Sequence, residues 1–126
     1  MERSMSELAL IVEDDEDLAN IFAEALRSVG FEVEHFADGQ TAQERLNKGT
    51  VPYLILLDMH IPHISGADLL TNTIKKDRRL DKTIVIVTTA DARMGEAYTD
   101  LADFVMVKPI SFIQLRDLTS RLKPKE

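Results

Sequence analysis

The chain has 126 residues, no cysteine and a formal net charge of −7. That length suits one domain with a single buried core. The missing cysteines exclude disulfides and thiolate metal sites, and the acidic balance argues against direct nucleic-acid binding while suiting bound cations or basic partners.

No apolar run approaches the ~18 residues of a membrane helix, and the polar start MERSMSE lacks the apolar stretch of a secretory signal. A cytoplasmic protein with no membrane partner is expected. Residues 1–7 read as a polar N-terminal tail, 8–122 as one domain and 123–126 as a C-terminal tail.

In chain order, LALIV (8–12) reads as a buried strand. Leu18, Ile21, Phe22, Ala25, Leu26 and Val29 then follow at spacings of three and four, which put one apolar stripe on a helix. Gly30 stands where a helix C′ residue is expected. FEVEHF (31–36) alternates like a half-buried strand, and 40–47 reads as a short helix with Ala42 and Leu46 inward. YLILL (53–57) is a buried strand, followed by a loop and a helix over 67–75. TIVIV (83–87), rich in β-branched residues, is another. Residues 91–100 read as a weak helix interrupted by Gly95, and FVMV (104–107) as a fifth strand. Ser111 is the expected N-cap of a last helix carrying Phe112, Leu115, Leu118 and Leu122 inward. Strands buried on both faces and joined by helices imply an α/β fold, a doubly wound five-stranded parallel sheet.

In such sheets ligands bind beyond the C-terminal strand ends. The residues there are Glu13, Asp14 and Asp15 after the first strand, Asp58 after the third, Thr88 and Thr89 after the fourth, and Lys108 with Pro109 after the fifth. The acidic run EDDED can equally be a solvated loop that caps a helix and favours its dipole. The set as a whole points further. Carboxylates from separate segments repel one another when they converge, and a hard divalent cation with oxygen ligands, such as Mg²⁺, offsets that cost together with Lys108. An aspartate beside a cation, an ammonium and a hydroxyl is equipped to attack phosphorus.

These segments, LIVEDD, LILLDMHIPHISG, TIVIVTTA and DFVMVKP, resemble the response-regulator receiver domain over roughly residues 8–122. Asp58, Pro62 and Gly66 at spacings of four and eight are the most specific part. The resemblance implies a flavodoxin-like (βα)5 fold with strand order 2-1-3-4-5, and a phosphorylation-activated switch in two-component or phosphorelay signalling. It implies Asp58 as phosphoacceptor, with Thr88 and Lys108 contacting the phosphoryl group. Mg²⁺ would be held by Asp14 directly, Glu13 through water, Asp58 and the backbone carbonyl of His60. It also implies a cis Lys108–Pro109 peptide. The donor would be a phosphohistidine on a sensor histidine kinase or histidine phosphotransfer protein, and the signal would pass to an output protein. The domain would catalyse only its own phosphoryl transfer, and homodimerisation is open.

Several positions depart from the family pattern. Val105 stands where Tyr or Phe is usual three residues before the lysine, and strand alternation points the adjacent Phe104 to the opposite face. Thr89 replaces a usual Ala or Gly, with the prospect of crowding Asp58, and the stretch from Thr88 to Lys108 is short. His60 and Ala90 match positions that tune dephosphorylation. The departures motivate a second reading, a phosphorylation-independent interaction module or passive phosphorelay carrier. A third, an aspartate-nucleophile phosphohydrolase, wants an acid where His60 stands. His60 and His63 as a transition-metal pair, His35 as anything but a surface residue, and KKDRR (75–79) as more than a solvated helix end are all disfavoured.

Overall fold

A computed structural model describes residues 7–123. Of the expected tails, 1–7 and 123–126, residues 1–6 and 124–126 lie outside the described residues. The strands are β1 (Glu7–Val12), β2 (Phe31–Phe36), β3 (Leu54–Asp58), β4 (Ile84–Thr89) and β5 (Phe104–Val107). All neighbouring pairs are parallel, in the order β2-β1-β3-β4-β5.

Alternation along the strands divides the core between the two faces. Leu10, Val12, Ile55, Leu57, Val85 and Val87 face one side, against Ala42 and Leu46 of α2 (Gly39–Leu46) and Leu69, Leu70 and Ile74. Ala9, Ile11, Leu54, Leu56 and Ile86 face the other, against Ala19, Phe22, Ala23 and Leu26 of α1 (Glu16–Ser28) and Leu115 of α5 (Phe112–Leu122). Each of the valine, leucine, isoleucine and phenylalanine side chains contributes about 1.5–3 kcal/mol by leaving water. Gly30 takes φ +99° as expected after α1. Ser111 caps α5 in a full capping box with Gln114. At the opposite end of the sheet from the strand tips, the Tyr53 hydroxyl donates to the Leu122 carbonyl at 2.6 Å and so ties α5 to the start of β3.

Three strands differ from the sequence expectation in their boundaries. β1 begins at Glu7 because Glu7 pairs with Phe31. β3 and β4 start one residue later than expected and run on to Asp58 and Thr89, which the pairs Asp58↔Thr88 and Thr89↔Val107 hold in the ladder. Backbone pairing continues past the last apolar side chain, and hydrophobic pattern registers only the side chains.

The helices differ more. The helix expected over 67–75 is one α-helical turn, α3 (Gly66–Asp68), that runs on as a π-helical segment, Leu69–Ile74. There the Thr71 hydroxyl donates to the Ala67 carbonyl at 2.9 Å, the acceptor its own N–H would use in an α-helix. The KKDRR stretch is not a plain helix end. Asp77 caps a 3₁₀ turn, Arg78–Leu80, that buries Leu80. The helix expected over 91–100 shrinks to α4 (Ala92–Ala97), capped by Asp91, and the chain then turns through Tyr98, whose carbonyl accepts from Leu101 and Ala102.

Two glycines mark close approaches that position the site. A Cβ at Gly66 would overlap the Asp58 carbonyl oxygen and lie 2.6 Å from the Met59 Cα. Gly66 also donates its N–H to the Met59 carbonyl at 3.1 Å. The start of α3 therefore rests on the backbone that carries Asp58, which explains a glycine eight residues after the aspartate. At Gly95 a Cβ would meet Val105 Cγ1 at 2.7 Å and Thr89 Cγ2 at 3.2 Å, so α4 lies directly on β4 and β5.

Gly66→Ala is expected to lower stability by about 3 kcal/mol, because the obstructing atoms are backbone, as read by urea unfolding. Gly95→Ala would add about 1 kcal/mol of helix propensity, yet a net loss is expected because the neighbour is a stiff, β-branched valine. Pairing it with Val105→Ala should recover part of that loss beyond the sum of the single changes, which a double-mutant cycle measures.

Candidate functional site

The acidic run after β1 divides between two tasks. Asp15 caps α1 by accepting the Leu18 N–H at 3.1 Å, and Glu16 and Asp17 occupy the first turn, where negative charge is favoured. Glu13 and Asp14 turn instead toward the tip of β3. Carboxylate oxygens of Glu13, Asp14 and Asp58 lie within 4.8 Å of one another. Glu13 and Asp58 are buried, with 2% and 3% exposure, while Asp14 faces solvent.

Lys108 reaches this cluster from the end of β5. Its Nζ lies 3.0 Å from Glu13 Oε1 and 3.2 Å from Asp58 Oδ2. Its backbone is fixed by donating to the Thr89 carbonyl at 2.8 Å, and the Lys108–Pro109 peptide is cis, as the resemblance implied. Asp58 Oδ1 accepts the backbone N–H of His60 at 3.0 Å. Glu13 Oε2 accepts the Asp15 N–H at 3.1 Å. Asp58 and Thr88 are register partners, so both side chains leave the sheet on the same side.

Thr89 does not crowd that side. Its side chain points the other way, its hydroxyl accepts the Asp91 N–H at 3.0 Å, and its methyl faces Gly95. The acidic cluster contains no histidine, so His60 and His63 form no metal pair with it. His35 is exposed, as expected, yet its Nε2 lies 2.7 Å from the Glu13 carbonyl oxygen. Its alternating strand position gave no sign of that contact, which depends on how β2 ends beside β1.

Charge decides what this pocket suits. One ammonium faces three carboxylates, which leaves an excess of negative charge around oxygen donors. Hard divalent cations of the Mg²⁺ kind fit that donor set, and soft transition metals do not. Burial pushes the Glu13 carboxyl above its ordinary pKa of 4.5 and the Asp58 charge adds to this, against the hydrogen bonds from Lys108 and the Asp15 N–H. Burial alone would push the Lys108 ammonium down, but its hydrogen bond to Glu13 and the charges of Asp58 and Glu13 more than offset that, and its pKa is raised.

A family model, the response regulator receiver domain, matches residues 9–120. The chain belongs to this family. Among curated relatives it is 30% identical over 126 residues to the probable methanogenesis regulatory protein FilR2 of Methanothrix harundinacea, an alignment covering 92% of this chain and 81% of that one. In several longer relatives the chain corresponds to between 5% and 53% of the length. Among solved structures, a CheY-like receiver domain from Methylobacillus flagellatus superposes with a TM-score of 0.80 at 23% identity, covering 94% of this chain and 100% of that one. The receiver domain of sensor histidine kinase PA1611 from Pseudomonas aeruginosa PAO1, which has a magnesium ion in its active-site cleft, also gives 0.80 at 24% identity, covering 93% and 97%. Receiver domains are signalling domains that take phosphoryl groups from histidine kinases, pass signals to output domains and bind Mg²⁺ at an acidic pocket. No helix among the described residues is long and apolar enough to cross a membrane.

The raised Glu13 pKa has a consequence for the metal-free protein. A carboxyl that binds its proton more tightly in the folded state contributes stability below its unfolded pKa and loses it as pH rises through the folded one. The urea midpoint of metal-free protein is expected to fall as pH rises above 4.5, and Glu13→Gln should flatten that fall.

Proposed function

We propose that this domain is a signalling switch that accepts a phosphoryl group on Asp58. The observation that carries the reading is Asp58 itself, a buried carboxylate on a rigid strand, held at one oxygen by the His60 N–H and at the other by Lys108. A nucleophile so held is positioned before its substrate arrives.

In this reading an Asp58 oxygen attacks the phosphorus of a phosphohistidine on a sensor kinase or phosphotransfer protein. The P–N bond breaks and its electron pair returns to the imidazole, leaving an aspartyl phosphate. Lys108 supports charge on the phosphoryl oxygens, and Thr88, beside Asp58 in register, donates its hydroxyl to one of them. Asp14, Asp58 and the His60 carbonyl would hold Mg²⁺ directly and Glu13 through water. The ion supplies neutralisation of the transferring oxygens. The presence of magnesium in the cleft of the PA1611 receiver supports the same use here. The reaction modifies the domain itself and turns over no free substrate. The setting is cytoplasmic.

The alternative, a passive phosphate carrier, is not the favoured reading and is motivated by one feature. Val105 packs on the α4 face where the family usually has an aromatic ring, and Phe104 lies on the opposite face, 37% exposed. Incubation with Mg²⁺ and a small-molecule phosphodonor, followed by intact mass and amide NMR, separates the readings. Gain of one phosphoryl group, abolished by Asp58→Asn, with shifts reaching residues 89–112 is expected for a switch. Gain without distant shifts would mark a carrier. No modification, even with a cognate kinase, would overturn both.

A further inference from the structure

The Glu13 carbonyl sits where the chain leaves the sheet. Glu13 donates its N–H to the Phe36 carbonyl at 3.0 Å, the last bond between these segments. The β2 chain then bends away so that Asp38 can cap α2, its side chain accepting the Thr41 N–H at 2.8 Å. Among the described residues no backbone N–H reaches the Glu13 carbonyl. The group that reaches it is the His35 ring, from the edge strand, with Nε2 at 2.7 Å. A carbonyl only accepts, so Nε2 carries the hydrogen and donates it.

This bond acts on the acid pair through the backbone. The Glu13 carbonyl and the Asp14 N–H share one planar peptide. Fixing the carbonyl fixes that plane, and with it the position of the Asp14 Cα from which the carboxylate is presented. The Glu13 side chain is already held by Lys108 and the Asp15 N–H. Asp14 is exposed and has no comparable restraint of its own. We propose that His35 is a positioning residue for the cation site. By donating to the Glu13 carbonyl it sets the orientation of the Glu13–Asp14 peptide and so pre-organises the Asp14 carboxylate for a divalent cation. The inference rests on the reading of Glu13, Asp14 and Asp58 as that site. It touches no reacting atom and adds no ligand.

The test uses three variants at one fixed pH. His35→Ala removes the ring, His35→Phe keeps a ring without a donor, and His35→Gln keeps an N–H of similar reach. The ¹⁵N resonance of the Asp14 amide in metal-free protein reports the hydrogen bond to the preceding carbonyl. Mg²⁺ titration followed by amide shifts gives the dissociation constant, and urea unfolding gives the stability of the same metal-free samples. The expected result is a displaced Asp14 resonance and Mg²⁺ binding weakened about tenfold in the Ala and Phe variants, as for partners that orient metal ligands, with both restored by Gln. Wild-type Mg²⁺ affinity in the Ala and Phe variants, whether or not their urea midpoints fall, would overturn the role of His35 and leave the site reading intact. A wild-type protein that takes up no Mg²⁺ would overturn the site reading and this inference with it.

Discussion

One ammonium group between two buried carboxylates is the constraint from which the rest of the site follows. Lys108 touches Glu13 and Asp58 together, and all three side chains are largely withdrawn from water. Burial raises the pKa of Glu13, and the charge of Asp58 adds to the rise. The lysine opposes that rise in part, and it reaches Glu13 from a strand whose end is fixed to Thr89. With β1 and β3 adjacent and β5 at the sheet edge, the pocket needs the strand order the chain adopts. The lysine leaves a negative remainder, since Asp14 adds a third carboxylate that it does not touch. That remainder distinguishes this pocket from a closed structural ion pair.

The backbone around this pair is held by groups that carry no charge. Gly66 lets the α3 start rest on the Asp58–Met59 backbone, and the His60 N–H then lies on one Asp58 oxygen. On the other side of the sheet, Thr89, Gly95 and Val105 bring α4 close against β4 and β5. β4 therefore carries Thr88 toward Asp58 and Thr89 toward α4, one residue apart and on opposite faces.

How much of this was legible in the sequence depends on which physical signal each feature leaves. The five β-α units were legible because side chains buried on both faces give continuous apolar runs, as in LALIV and TIVIV. The strand order came from the family resemblance, since periodicity carries no information about neighbours. Glu13, Asp14, Asp58, Thr88 and Lys108 were found by reading strand ends, and the structure brings the three acids and the lysine into one cluster with Thr88 in register beside it. The extension of β3 and β4 through Asp58 and Thr89 was missed because ladder hydrogen bonds are blind to side-chain polarity. The π-helical segment after Asp68 leaves no periodic signature in the sequence.

His35 is the clearest case of a feature hidden by its own pattern. In FEVEHF it holds a polar position of a half-buried edge strand, and its exposure agrees with that reading. Its contact depends on two chain ends, the exit of β1 at Glu13 and the bend of β2 after Phe36, neither of which is encoded at residue 35. The carbonyl there has lost its ladder partner because the β2 backbone is committed to starting α2. A side chain supplies what the sheet cannot, at the point where the backbone must stop being a strand and start presenting ligands. Parallel sheets of this kind place their chemistry at strand ends, where the ladder runs out of partners. Side chains that replace those partners therefore belong to the machinery that orients the site, although they stand outside the set of residues that touch the ligand.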